Sequence, residues 1–124
     1  MLTVVLALAL LLSPESNMHG FVNDERVDRG KARLEVTDFL RTYAEGQATR
    51  MANQSRIFHD PCGGCGEVVG VRPENDTALD MFNAWMGSDD HRRILMDPDA
   101  NRLGCGKVTS GGWDWWVCEV RYET

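Results

Sequence analysis

Two cysteines placed symmetrically about a Gly-Gly pair constrain this chain more than any other feature in it. The stretch LGCGKVTS, then Gly111-Gly112, then WDWWVCEV reads as a β-hairpin, since a two-residue primed turn needs positive φ. In that register Ser110 lies opposite Trp113, and stepping outward brings Cys105 opposite Cys118. Counted from a hydrogen-bonded Ser110–Trp113 pair, the cysteine pair is non-hydrogen-bonded, where Cα atoms approach to about 4.5 Å. A disulfide accepts that separation. The spacing therefore predicts a cross-strand Cys105–Cys118 disulfide.

The other two cysteines, Cys62 and Cys65, sit in PCGGCGE. A zinc ribbon would need a second tight CxxC, and Cys105 to Cys118 is too open for one. A redox CxxC of the thioredoxin type opens a helix after a strand, whereas this one lies among glycines after Pro61. Disulfides rank first, a structural metal second and a redox site third. Cys62 and Cys65 either pair with each other or stay reduced.

An even cysteine count in a chain of 124 residues fits an oxidising compartment. The opening agrees: MLTVVLALALLL is apolar throughout and is followed by Ser13 and Pro14. It is too short for a bilayer span, which takes about 20 apolar residues, and resembles the apolar region of a secretory signal. Residues 1–16 are read as this leader and 17–124 as one domain. A buried apolar helix is the alternative for the leader. The net charge of −6 and the absence of any basic run argue against a nucleic-acid partner.

Along the domain, residues 18–30 carry a helical pattern that stops at Gly30. Thr37 caps a second helix whose Phe39, Leu40, Tyr43, Ala44, Ala48, Met51 and Ala52 share one face. A Gly-rich stretch follows, with 67–71 as a short strand. A third helix starts near Thr77, with Trp85 in the core, and Ser88 caps a shorter one that carries His91. Helices, a strand and a closing hairpin suggest an α+β fold, with helices packed on a small antiparallel sheet.

Three residues could carry chemistry: His59 in IFHD, Glu67 in GCGEVVG and His91 in SDDHRRIL. Each lies beside irregular backbone, where functional side chains are commonly displayed. Two imidazoles and a carboxylate suffice for a divalent transition metal with an open position. Without a metal the same trio could act as general base and acid. The plainer alternative is surface or capping histidines. No HExxH, GxSxG or phosphate-loop spacing is present.

The ordered set of short motifs resembles the bacterial-type CAP (SCP-like) domain, the superfamily of cysteine-rich secretory proteins, venom allergens and plant pathogenesis-related proteins. The resemblance runs from 21 to 122: Asn23-x-x-Arg26-x-x-x-Gly30, Leu40-x-x-Tyr43-Ala44, His59, Gly66-Glu67-Val68-Val69, Trp85-x-x-Ser88-x-x-His91-Arg92, then Gly104-x-Gly106 and Trp115-Trp116-Val117. It implies an α–β–α sandwich whose cleft is lined by His59, Glu67 and His91, with zinc or another divalent metal as the expected cofactor. Animal members often add a second Glu after the helix-three Trp, where this chain has Ser88, Asp89 and Asp90.

The resemblance implies a secreted, extracellular, monomeric binding module for a lipid, glycan or protein partner. A metal-assisted hydrolase of peptidase type is one alternative, and a disulfide-held structural or toxin-like protein with a vestigial cleft is the other. Fold alone does not choose among them.

Overall fold

The computed structural model describes residues 12–124, so the expectations for residues 1–11 of the leader lie outside the described residues. Helix α1 spans Pro14–Asp28, strand β1 Glu35–Val36, α2 Asp38–Gln54, β2 Cys65–Pro73, α3 Ala78–Met86, α4 Asp89–Leu95, β3 Arg102–Ser110 and β4 Trp113–Arg121. The strands form one sheet in the order β1-β3-β4-β2. The hairpin has the register read from sequence, with Ser110 opposite Trp113 and Cys105 opposite Cys118. That pair is a disulfide, its Cα atoms 4.0 Å apart. The sheet is mixed rather than purely antiparallel, because the two-residue β1 runs parallel to β3.

Each helix start has a local cause. Ser13 accepts from the Ser16 amide and Pro14 occupies the first turn, so α1 begins earlier than its apolar pattern and takes in residues 14–16. Thr37 caps α2, and Thr77 with Asp80 forms a capping box on α3. Ser88 precedes α4 without a side-chain capping bond.

The sheet is covered on both faces. On one side α1, α3 and α4 bury Met18, Val22, Phe82, Trp85 and Leu95 against Val68, Cys105, Trp116 and Cys118. Trp85 donates its indole N–H to the Val69 carbonyl at 3.0 Å, which fixes it as core. The Asn23 and Arg26 motif is a clamp in this layer. Asn23 exchanges two hydrogen bonds with the Leu34 backbone, and the fully buried Arg26 guanidinium donates to the carbonyls of Ala32, Leu95 and Asp97.

On the other side α2 lies alone, laying Ala44, Ala48, Met51 and Ala52 on Val69, Trp115 and Val117. It lies very close. A Cβ on Gly104 would sit 2.3 Å from the α2 backbone at Leu40 and Arg41, and one on Gly106 would sit 2.4 Å from the Glu45 amide. Backbone cannot yield as a flexible side chain can, so Gly104→Ala should destabilise by about 3 kcal/mol or more. By contrast Gly20, inside α1 with nothing within 4 Å of its absent Cβ, should gain about 0.5–1 kcal/mol on substitution by Ala. Urea unfolding of the two variants checks the contrast.

Candidate functional site

Side chains alternate along a strand, so Glu67 shares a face with Val69 and points to the α2 side. Directly opposite it on β4 is Glu119, and Gly104 flanks Glu119 on β3. Both carboxyl groups are buried, Glu119 completely and Glu67 with 4% exposure. Two ionised carboxylates repel strongly in a dry site, which drives one of them to take up a proton. Burial, then the hydrogen bond with Glu67, pushes the Glu119 carboxyl up to about 9, so it carries a proton at neutral pH. Glu67 Oε2 and Glu119 Oε2 are buried and meet no N–H donor among the described residues. The hydrogen bond between the two carboxyl groups favours the protonated form of Glu119.

The loop between α2 and β2 is hung over this pair. Glu67 Oε1 accepts from the Asp60 amide at 3.0 Å and Glu119 Oε1 from the Cys62 amide at 2.9 Å. From α2, Gln47 donates to the Phe58 carbonyl and Tyr43 to the Asp60 carbonyl, both at 2.8 Å. Desolvation, then the Asp60 and Glu119 carboxylates, raises the Tyr43 phenol above its ordinary value. The loop ends in a turn in which Gly64 has φ +74° and Cys62 is disulfide-bonded to Cys65.

His59 rides on this loop, its Nδ1 3.0 Å from Glu67 Oε1. Glu67 Oε1 also accepts the Asp60 amide, so it is the acceptor in this contact and His59 donates from Nδ1–H. That tautomer leaves the Nε2 lone pair free on a side chain that is 58% exposed. A carboxylate, an oriented imidazole and an outward nitrogen make a general base or a metal ligand.

His91 comes from a different element, α4. Its helix packs on the opposite face, where Ile94 would meet a Cβ on Gly66 at 3.0 Å. It makes no hydrogen bond to His59 or Glu67, and its Nδ1 is buried without a partner. A hydrogen bond thus joins His59 to Glu67, while His91 is carried by a helix that packs on the other face of β2, an edge strand. Among the described residues, three ligand-capable atoms gather within 4.8 Å of one another at Cys62, Cys65 and Glu119. The third histidine, His19, is structural: its Nε2 accepts from the Cys105 amide at 2.9 Å, and burial, then Arg41, lowers it to about 4.

The family model for the cysteine-rich secretory protein family, CAP, matches residues 19–120. The chain belongs to the CAP family. No curated protein matches it. Among solved structures the CAP domain is similar to an outer surface protein of Borrelia burgdorferi, with TM-score 0.78 and 17% identity over 90% of this chain and 93% of that one. An extracellular SCP-domain protein of Bacillus anthracis gives 0.74 and 14% over 89% of this chain and 40% of that one. Venom allergen-like protein 4 of Schistosoma mansoni gives 0.67 and 17% over 90% of both. At these identities the likeness is one of fold: helices on both faces of a central sheet.

Sequence reasoning missed Glu119. The signal was present, for WWVCEV is a strand apolar on both faces, and a carboxylate inside such a run must be buried. Its pairing with Glu67 needed the β2–β4 register, which no local motif supplies.

The acid pair links stability to pH. Glu119 titrates near 4.5 when unfolded and about 9 when folded. Between those values the folded state holds a proton that the unfolded state has released, so its stability is complete below the lower value and falls as pH rises toward the upper. Glu119→Gln mimics the neutral acid. Urea unfolding from about pH 5 to pH 9 should show the wild type losing stability relative to the variant throughout.

Proposed function

We propose that this CAP domain acts outside the cell as a binding module for a lipid, glycan or protein partner, engaged at His59. The observation that carries this reading is the exposed imidazole held by the buried Glu67 carboxylate on a loop tethered from both α2 and the sheet. Such an imidazole is oriented before any ligand arrives, which lowers the ordering cost of binding. Export is supported by the apolar leader, by two disulfides and by relatives described as extracellular or outer-surface proteins.

A divalent metal, zinc foremost, fits this site in part. His59 Nε2 is a free imidazole donor and His91 Nδ1 is a buried nitrogen without a partner. Glu67 does not fit as a third ligand, because its Oε1 already accepts two N–H groups and its carboxyl group is buried in a hydrogen bond with Glu119. Its place is behind His59, fixing the ring. His59 and His91 would hold the ion, which would supply a Lewis acid for a partner's oxygen.

The oriented imidazole also favours a second reading, a hydrolase in which His59 serves as general base. Loss of ester or peptide hydrolysis in His59→Ala would select it.

Zinc titration by calorimetry tests the metal. His59→Ala should abolish binding, and Glu67→Gln should weaken it about tenfold by releasing the ring. Binding should also fade as pH drops through about 6.5, since ligation needs neutral imidazole. Equal affinity in the wild type and His59→Ala would remove His59 from the site, and no binding by the wild type would remove the metal.

A further inference from the structure

The two disulfides of this chain lie in opposite surroundings. Cys105 and Cys118 are 1% and 0% exposed, inside the apolar layer under α1 and α3. Cys62 is also buried, at 6%, but Cys65 is partly exposed at the start of β2, after the Gly63-Gly64 turn. Beside this second pair stands Glu119, which neither the family motifs nor the His59 reading uses. A carboxyl oxygen of Glu119 and the two sulfurs lie within 4.8 Å of one another. Glu119 also accepts the Cys62 amide, so its carboxyl is fixed against the buried end of the disulfide.

We propose that Cys62–Cys65 is a thiol–disulfide exchange site, in which an external thiol attacks the Cys65 sulfur and the Glu119 carboxyl delivers a proton to the departing Cys62 sulfur. The geometry assigns each part. Attack needs access, which Cys65 has and Cys62 lacks. The leaving thiolate would be stranded in a buried pocket, where an anion is costly, and among the described residues no helix begins at this turn to stabilise it. The adjacent acid removes that obstacle, because its proton can pass to sulfur and the charge then falls on the Glu67–Glu119 pair, where the Cys62 and Asp60 amides and the His59 ring donate to it, instead of on an unpartnered buried thiolate.

The electron balance is that of a dithiol reductant. Its first thiolate forms a bond to the Cys65 sulfur as the Cys62–Cys65 bond breaks, and Cys62 leaves as a thiol with the proton from Glu119. The second thiolate of the reductant then attacks its own sulfur in the mixed disulfide and expels Cys65 as a thiolate. The reductant ends as a disulfide, Cys62 and Cys65 as the reduced pair, and Glu119 regains a proton from water. Chain entropy permits the opening. The Cys62–Cys65 bridge has a sequence separation of 3, against 13 for Cys105–Cys118, so its loss frees less of the unfolded chain.

A CxxC among glycines, with no helix opening at it, lacks the usual source of thiolate stabilisation. The buried acid that the β2–β4 register brings beside it takes that part.

The test uses the full chain with dithiothreitol as reductant, quenched by alkylation and read by peptide mass spectrometry. Cys62–Cys65 should open at least tenfold faster than Cys105–Cys118 in the folded protein. Glu119→Gln keeps an oxygen for the Cys62 amide but has no acid proton, and its opening rate should fall by at least about tenfold. Cys62→Ser, treated with glutathione disulfide, should accumulate a mixed disulfide at Cys65, and Cys65→Ser should not accumulate one at Cys62. Equal opening rates for the two native disulfides would overturn the proposal, as would an unchanged rate in Glu119→Gln or preferential trapping at Cys62. None of these readouts involves zinc or His59, so they stand or fall apart from the binding-module reading.

Discussion

The arrangement of this domain depends on how closely α2 approaches the sheet. Gly104 and Gly106 on β3 present no side chain toward it, and the helix answers with Ala44, Ala48 and Ala52, so backbone nearly meets backbone. That spacing has a chemical consequence at one end of the sheet. Glu119 pairs with Gly104 across the ladder and is therefore roofed by α2 rather than by water. A larger residue at 104 would lift the helix and wet the acid. Dryness of the acid pair is thus set by the same glycines that set the layer spacing.

A dry acid pair then organises the loop above it. Each carboxyl group offers Oε1 upward to a loop amide, Asp60 from Glu67 and Cys62 from Glu119, while its Oε2 stays buried. The sheet end therefore holds two points of the loop two residues apart, and α2 holds two more through Gln47 and Tyr43. His59 falls within this lattice, which explains how an exposed side chain on irregular backbone keeps one orientation. His59, the acid pair and the CxxC turn are parts of one construction rather than neighbours by chance.

Much of the fold was legible because its signals are local. The Gly111-Gly112 turn fixed the hairpin register and with it the Cys105–Cys118 bond, and Thr37 and Thr77 marked two helix starts. Exposure followed less simply. Phe39 was placed on the inward face of α2, yet it is 57% exposed, with the Arg121 guanidinium 4.9 Å from its ring centroid. The parallel β1 could not be read, since two residues carry no period. At the site, residue types drew attention to His59, Glu67 and His91, but type does not report the side of a strand. Glu67 follows Gly66 in sequence, and that single step carries it to the opposite face from α4 and His91.

Two ionisable side chains are buried completely in this domain, and the chain handles them in opposite ways. Arg26 keeps its charge and spreads it over three carbonyls at the ends of α1 and α4, with Asp97 near. Its high intrinsic basicity makes that the cheaper solution, for no accessible pH removes the proton. Glu119 has no cation in hydrogen-bond contact, and a carboxylic acid gives up its charge readily, so it is buried neutral. The difference divides the molecule. The face under α1, α3 and α4 is clamped by a group whose state is constant, with its disulfide sealed inside. The end beneath α2 is closed by a group that holds a mobile proton beside an accessible sulfur and an oriented imidazole. A protonated acid, a partly exposed disulfide and an oriented imidazole are thus gathered at the α2 side of the sheet.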